Sequence, residues 1–218
     1  MRVLGVDGCK GGWIGVVLED ECHPAAAFGK DIAELVAWAG DLDAIGIDIP
    51  IHLNDDSDRP CDAAARRALS PHGSRVFNAP VSAVLQCATY AEANQVSGRL
   101  LGKKISKQTW NLVPKIADVD RWLPLAPCAV FEVHPELAFG AMHGQVISES
   151  KKSREGASLR ERALAEHGIR VPTEVRRSDD LFDACAVAWS TLRIARGEGT
   201  RLPDDPPIVR GSLQAVWY

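Results

Sequence analysis

"RVLGVDGCKGGWIGVVL", residues Arg2 to Leu18, sets two apolar runs on either side of a glycine-rich turn. Runs of this length, bounded by glycine, predict two strands joined as a hairpin. The first strand, "RVLGVD", ends at a carboxylate, Asp7, and Gly8, Gly11 and Gly12 follow closely. Glycine weakens strands, so this density predicts at least one glycine with positive φ, or one that lets a substrate backbone come close.

Outward from the hairpin, the same combination of apolar run and acid returns. "AIGIDIPI", Ala44 to Ile51, reads as a buried strand closed by Pro50, with Asp48 at its centre. A carboxylate buried without compensation costs several kcal/mol, so such a group neutralises, pairs or binds a metal. "CAVFEVHPE", Cys128 to Glu136, has strand character and carries Glu132. "DDLFDACAVAWSTLRIARG", Asp179 to Gly197, is the last strong helix, with Leu181, Cys185, Ala188 and Leu192 on one stripe. Asp180 and Asp183 stand three apart near its start, hence on one face.

The remaining pattern predicts a third strand at "AAAF", a helix at "KDIAELVAWAG" that stops at Gly40, and a helix at "SLRERALAEHG" that stops at Gly168. From about 54 to 127 strand character disappears. Three helices are expected there: "DRPCDAAARRAL" started by Pro60, "SAVLQCATYAEAN", and "SKQTWNLVPKIADVDRWL", interrupted or bent at Pro114. The tail "GSLQAVWY" reads as an edge strand after a proline-rich coil. The result is one mixed α/β domain spanning 1–218 with a helical insertion.

The chain has 218 residues, 46% hydrophobic and 25% charged, with formal net charge −4, which suits a globular domain that does not coat nucleic acid over its whole surface. Six cysteines (Cys9, Cys22, Cys61, Cys87, Cys128, Cys185) occur without a C-x-x-C pair, which argues against zinc and a disulfide framework and for the reducing cytoplasm. No signal-peptide core opens the sequence and no run approaches the ~20 apolar residues of a membrane span, so no membrane partner is expected. The phosphate-loop, dinucleotide-binding and serine-hydrolase glycine motifs are absent.

Asp7, Asp48, Glu132, Asp180 and Asp183 therefore lie where a sheet edge and a helix start can bring them together. Clustered carboxylates repel unless a cation sits among them, and oxygen ligands suit Mg²⁺ or Mn²⁺. Two such ions about 3.5–4 Å apart form the clamp of phosphoryl-transfer nucleases, activating a water and stabilising the leaving oxygen. Asp7, Asp48 and Asp183 are the best metal ligands, with Glu132 and Asp180 next. The alternatives are plain: Asp7-Gly8 as a turn, Asp179 and Asp180 offsetting the helix dipole, and Asp48 and Glu132 as buried ion-pair partners of arginines.

This order of acids, with D-x-x-D-A opening a final helix, resembles the ribonuclease H-like superfamily, at its RuvC-type resolvase end. At closer range "GVDGCKGGWIGVVL", "IGIDIPI", "RPCDAAAR", "SRVFNAP", "SKQTWNLVPKI", "FEVHPE", "SKK" and "DDLFDACAVAW" resemble the domain of unknown function 429 family, predicted RNase-H-like nucleases. The resemblance implies a ribonuclease H-like mixed sheet flanked by helices and a metal-dependent nuclease acting on DNA or RNA. A weaker likeness, of "GCKGG" to the phosphate loop of actin-like kinases, would need two such domains.

Basic residues supply the substrate side of this expectation. Arg59, Arg66, Arg67 and Arg75 cluster in sequence, arginine reads phosphate bidentately, and the family resemblance includes Arg59, Arg66 and Arg75. Arg99, Lys103, Lys104, Lys107 and Lys115 form an acid-free run around Trp110, which fits either a nucleic-acid grip or a solvated face. Lys151 and Lys152 fit contacts to substrate phosphates or a solvated pair. Cys61 reads as a packed thiol, because no base is paired with it. His134 fits a proton-transfer group or a strand-end turn. The expected function is a two-metal nuclease; the alternative is a non-catalytic nucleic-acid or nucleotide-binding module whose acids survive as structural pairs.

Overall fold

The computed structural model describes residues 1–19 and 24–218, so Cys22 lies outside the described residues. Strands β1 (Arg2–Cys9) and β2 (Gly12–Glu19) pair antiparallel as the hairpin, with Cys9 opposite Gly12. Gly11 takes φ 87° at the tip, which fulfils the expectation from the glycine density. β3 (Ala25–Gly29) adds antiparallel to β2. Helix α1 (Ile32–Ala39) follows, capped by Asp31 accepting from the Glu34 amide and closed by Gly40, with Ile32, Leu35, Val36 and Ala39 buried.

β4 (Ala44–Ile47) lies parallel to β1, and β5 (Ala129–Val133) parallel to β4. Between them stand α2 (Pro60–Ala68), α3 (Tyr90–Leu101) and α4 (Lys107–Trp122), with no strand from 48 to 128. α5 (Pro135–His143), α6 (Arg154–Glu166) and α7 (Asp179–Ala195) complete seven helices among the described residues. The short strands β6 (Arg201–Leu202), β7 (Ile208–Val209), β8 (Ser212–Leu213) and β9 (Val216–Trp217) end the chain. The protein is thus α/β, with a mixed seven-strand sheet in the order β3-β2-β1-β4-β5-β9-β6 and a separate β7-β8 pair.

Two compact units emerge: Met1–Ile49 with Leu125–Arg201 and Trp217–Tyr218, and Pro50–Pro124 with Leu202–Val216. In the first, α7 lies against β1, β2 and β4, and the expected stripe Leu181, Cys185, Ala188 and Leu192 is buried against Val3, Ile14, Val16 and Leu18. Burial of each large apolar side chain contributes roughly 1.5–3 kcal/mol. The helix approaches so closely because Gly5 has no Cβ: one placed there would stand 2.1 Å from the Ala188 amide nitrogen.

Several elements differ from the sequence reading. β1 runs past Asp7 to Cys9, so Asp7-Gly8 is strand and the turn is Lys10-Gly11. β4 stops at Ile47, so Asp48 lies just beyond the strand rather than in its centre, although its amide still donates to the Val6 carbonyl at 2.9 Å. The second expected helix is a 3-10 turn (Ser82–Gln86) and then α3, because the Thr89 hydroxyl accepts from the Glu92 amide and starts a new helix. α4 continues through Pro114, since a face made of Val113, Ile116, Val119 and Trp122 is buried on both sides of the lost hydrogen bond. α5 was not foreseen: Pro135 at its first position and Glu136 in its first turn are the start signals that the strand pattern hid.

Candidate functional site

Alternation along the strands decides which acids meet. Val3, Ile14, Val16 and Leu18 pack with α7, so Gly5 and Asp7 share the α7 face of β1. Gly46 faces α7 on β4, and Asp48, two residues on, follows on that side at the C-terminal edge of the strand. Asp183 reaches the same place from the first turns of α7, whose start is fixed by the Ser178 hydroxyl accepting from the Leu181 amide. Asp180 stands one turn earlier, close enough for its charge to be felt at Asp7. Open sheets of this kind hold ligands at the carboxyl ends of their strands.

Glu132 takes a different side. It is the partner of Ile47 in the β4–β5 register, whereas its neighbours Phe131 and Val133 pack toward α7. Glu132 therefore lies on the reverse face, still near enough for its charge to raise the Asp48 pKa. The acid that joins from β5's end is Glu136, in the first turn of α5, and its charge acts on both Asp48 and Asp183. Glu136 was missed because its helix was missed. The sequence signal available for it was the Pro-Glu helix start after a strand.

Electrostatics bind these groups together. Burial first, then the charges of Asp48 and Asp183, hold the Asp7 carboxyl well above the usual carboxylate range. Asp48 is raised by burial and then by Asp183. Asp183, 2% exposed, is raised to about 6 because burial outweighs the attraction of Lys151. Asp183 Oδ2 accepts from Lys151 Nζ at 2.5 Å, while Oδ1 is buried with no hydrogen-bond partner. Burial alone would lower the Lys151 pKa, but Asp183, then Asp7 and Asp48, hold its ammonium well above the ordinary lysine range.

Lys151 is thus placed in the acidic cluster itself. Its loop is tied down locally: the Ser153 hydroxyl donates to the Ser150 carbonyl and caps α6. Arg160, 1% exposed, donates to both carboxylate oxygens of Glu136 at 2.7 and 2.8 Å and to the Glu149 carbonyl at 3.2 Å. That buried pair joins α5, α6 and the lysine loop. Lys152, its neighbour, is exposed.

The other basic positions lie in the helical unit. Arg59 is 3% exposed; its guanidinium donates to Asp62 at 2.7 Å and to the Ile51 carbonyl at 2.7 Å, so it frames that unit instead of presenting a phosphate reader. Cys61 is fully buried beside it, as a packed thiol should be. Arg66 donates to the Val76 carbonyl at 2.7 Å, and Arg75 lies in the 3-10 turn Gly73–Arg75. The Lys107 ammonium sits 4.2 Å from the centre of the Tyr90 ring. His134 stands at the N-cap position of α5 without a side-chain capping bond, and its amide donates to the Trp217 carbonyl at 3.2 Å.

Among the described residues no three His, Cys, Asp or Glu side chains are already grouped to hold a metal ion. The donor chemistry nevertheless fits a hard divalent cation, since the electron-pair donors of the cluster are carboxylate oxygens and Asp183 Oδ1 lacks a partner, although the Lys151 ammonium already occupies Oδ2.

Sheet, helix and acidic cluster together define an α/β protein with a charged site at the carboxyl edge of its parallel strands. The chain belongs to the family described as Protein of unknown function (DUF429), whose model matches residues 5–208. No curated protein and no solved structure matches it. No helix among the described residues is long and apolar enough to cross a membrane, and the five described cysteines form no disulfide with one another.

Proposed function

We propose that this protein is a Mg²⁺- or Mn²⁺-dependent nuclease of ribonuclease H-like fold, hydrolysing phosphodiesters in DNA or RNA. The observation that carries the reading is the convergence of Asp7, Asp48 and Asp183 from two parallel strands and one helix, with the charge of Asp183 raising the pKa of the other two. The strand order β3-β2-β1-β4-β5, antiparallel in its first three members and parallel in its last three, supports the fold.

Asp7, Asp48 and Asp183 would hold the metal, with Asp180 and Glu136 shaping the field around them. When bound, a divalent ion supplies Lewis acidity and a water of lowered pKa. The chain's own part is to keep these carboxylates fixed and largely dry, which strengthens every charge interaction at the site. Lys151 supplies positive charge at Asp183.

A labelled set of DNA, RNA and hybrid substrates, incubated with Mn²⁺ and with EDTA, tests the proposal. Metal-dependent cleavage that Asp48→Asn abolishes is expected; no cleavage of any substrate by freshly folded protein counts against it.

The Lys151–Asp183 pair favours one second reading, a binding module on the same fold whose acids are satisfied internally. Melting curves separate the two. As a nuclease site, the parent gains about 2.7 kcal/mol from Mn²⁺ at a hundredfold excess over Kd, and Asp48→Asn much less. In EDTA that variant should melt no lower than the parent, because repulsion is relieved. As an internally paired cluster, breaking it costs about 3–5 kcal/mol and Mn²⁺ changes nothing.

A further inference from the structure

The helical unit holds a cavity of about 310 Å³, built where α2, the turn after α3 and the start of α4 meet. Three cationic residues, Arg66, Lys103 and Lys104, line it, and no described aspartate or glutamate does. Their separate stretches of sequence become one positive wall only in the fold.

Arg66 is the informative residue. Its Nη2 is committed to the Val76 carbonyl, but its Nε is buried with no hydrogen-bond partner. A buried donor left unmade costs about 1–3 kcal/mol, more when it is charged. An acceptor would remove that cost only by reaching Nε, which has no exposed surface, so the Arg66 side chain must turn toward the cavity. The N-terminus of α4, a helix of sixteen residues, reaches the same wall through Ser106, Gln108 and Thr109. The Ser106 hydroxyl accepts from the Thr109 amide at 2.9 Å, so the Lys107 and Gln108 amides ahead of it have no intrahelical acceptor and carry the positive end of the helix dipole. Lys103 is engaged only at its exposed tip, by Asp58 at 2.5 Å with side chains 43% and 59% accessible, a pair weak enough to exchange.

The rest of the wall is apolar. Half-buried Phe77 offers an aromatic surface, next to Val76 and Ile105. The volume lies at the small end of the roughly 300–1,000 Å³ that holds compact ligands, which admits one monomer unit and no duplex.

We propose that this cavity binds a phosphate monoester carried on a planar aromatic body, the chemistry shared by a free mononucleotide and the phosphorylated end of a nucleic-acid strand. The anion would face the Arg66 guanidinium, Lys104 and the α4 amides, and the base would lie on Phe77. The choice of a nucleotide as the body rests on the nuclease reading; the anion site itself does not.

Calorimetric titration of the full chain in EDTA tests this without engaging the carboxylate cluster. The probes are adenosine 5′-monophosphate, adenosine, inorganic phosphate, and a trinucleotide with and without a 5′-phosphate. Adenosine 5′-monophosphate should bind at least tenfold more tightly than adenosine or phosphate. Lys104→Glu, a change at an exposed position, should lose at least tenfold while melting like the parent. Tighter binding of the phosphorylated trinucleotide than of the mononucleotide identifies a strand end as the ligand, and the opposite order a free nucleotide; both support the site. Equal binding of adenosine and its monophosphate overturns the proposal, as does an unchanged affinity in Lys104→Glu. Inorganic phosphate binding as tightly as the nucleotide overturns the nucleotide assignment. Binding without metal-dependent cleavage leaves this site standing and removes the nuclease reading; cleavage without binding does the reverse.

Discussion

Lys151 changes what the acidic cluster means at the level of single residues. The sequence suggested a contact to substrate phosphate; the fold puts the ammonium on Asp183 and in the field of Asp7 and Asp48. A cation arriving at the acids must then contend with one already there. Lys151→Met should bind Mn²⁺ more tightly by about tenfold or more, since removing a like charge at ~4 Å is worth a few kcal/mol at protein-surface dielectric. The same variant should melt lower in EDTA, where the acids lose their counter-charge. Calorimetry showing unchanged Mn²⁺ affinity would return Lys151 to a substrate role. Stability against pH follows from the same residues. Asp183 titrates near 6 in the fold against an ordinary value of 3.8. The folded state therefore binds more protons between about pH 4 and 6, and stability falls as pH rises through that window. Asp7 and Asp48, both raised, act with the same sign. Urea unfolding in EDTA should give a more stable protein at pH 5 than at pH 7.5, with the difference reduced in Asp183→Asn. A parent that gains stability over that interval would contradict the geometry.

Among the elements, α7 and β1 form the unit on which the site depends. Their spacing leaves no room at Gly5, where a Cβ would meet Ala188 N at 2.1 Å and Ala184 O at 2.5 Å. Gly5→Val should cost at least the roughly 1–3 kcal/mol of an overpacked core and lift α7 from the sheet. Asp183 would move with the helix, so any folded fraction should also lose Mn²⁺ binding, measured by melting with and without the ion. Much of this was legible from periodicity: both hairpin strands, α1 with its glycine stop, and the buried stripe of α7 are all patterns within one segment. The parity of Glu132 was not, because its face depends on which residue of β4 lies beside it, and that is Ile47. Nor was the split of the second insertion helix, where one capping threonine outweighed a continuous helical composition.

For the molecule as a whole, a net charge of −4 makes general attraction to a polyanion unfavourable. The proposed nucleic-acid affinity would then have to come from local cations, and the helical unit carries Arg66 and Arg75. In a salt titration of oligonucleotide binding, Arg66→Ala with Arg75→Ala should weaken affinity and flatten the slope of log K against log salt by about two, one for each phosphate no longer neutralised. A double variant with the parental slope, and unchanged folding by circular dichroism, would show that these side chains touch no phosphate.

By itself the sequence determined the α/β class, the hairpin, the helical character of the segment after β4 and the acids carried at the ends of its strands, because each of these is written in local periodicity or in the cost of burying charge. Only the tertiary structure decided that Glu132 lies on the reverse face of β5, that Glu136 adds its charge from α5 and that Lys151 rests on Asp183. It likewise joined Arg66 and Lys104 around one cavity. These are relations between segments far apart in the chain, set by strand register and helix docking, and no pattern within either segment encodes them.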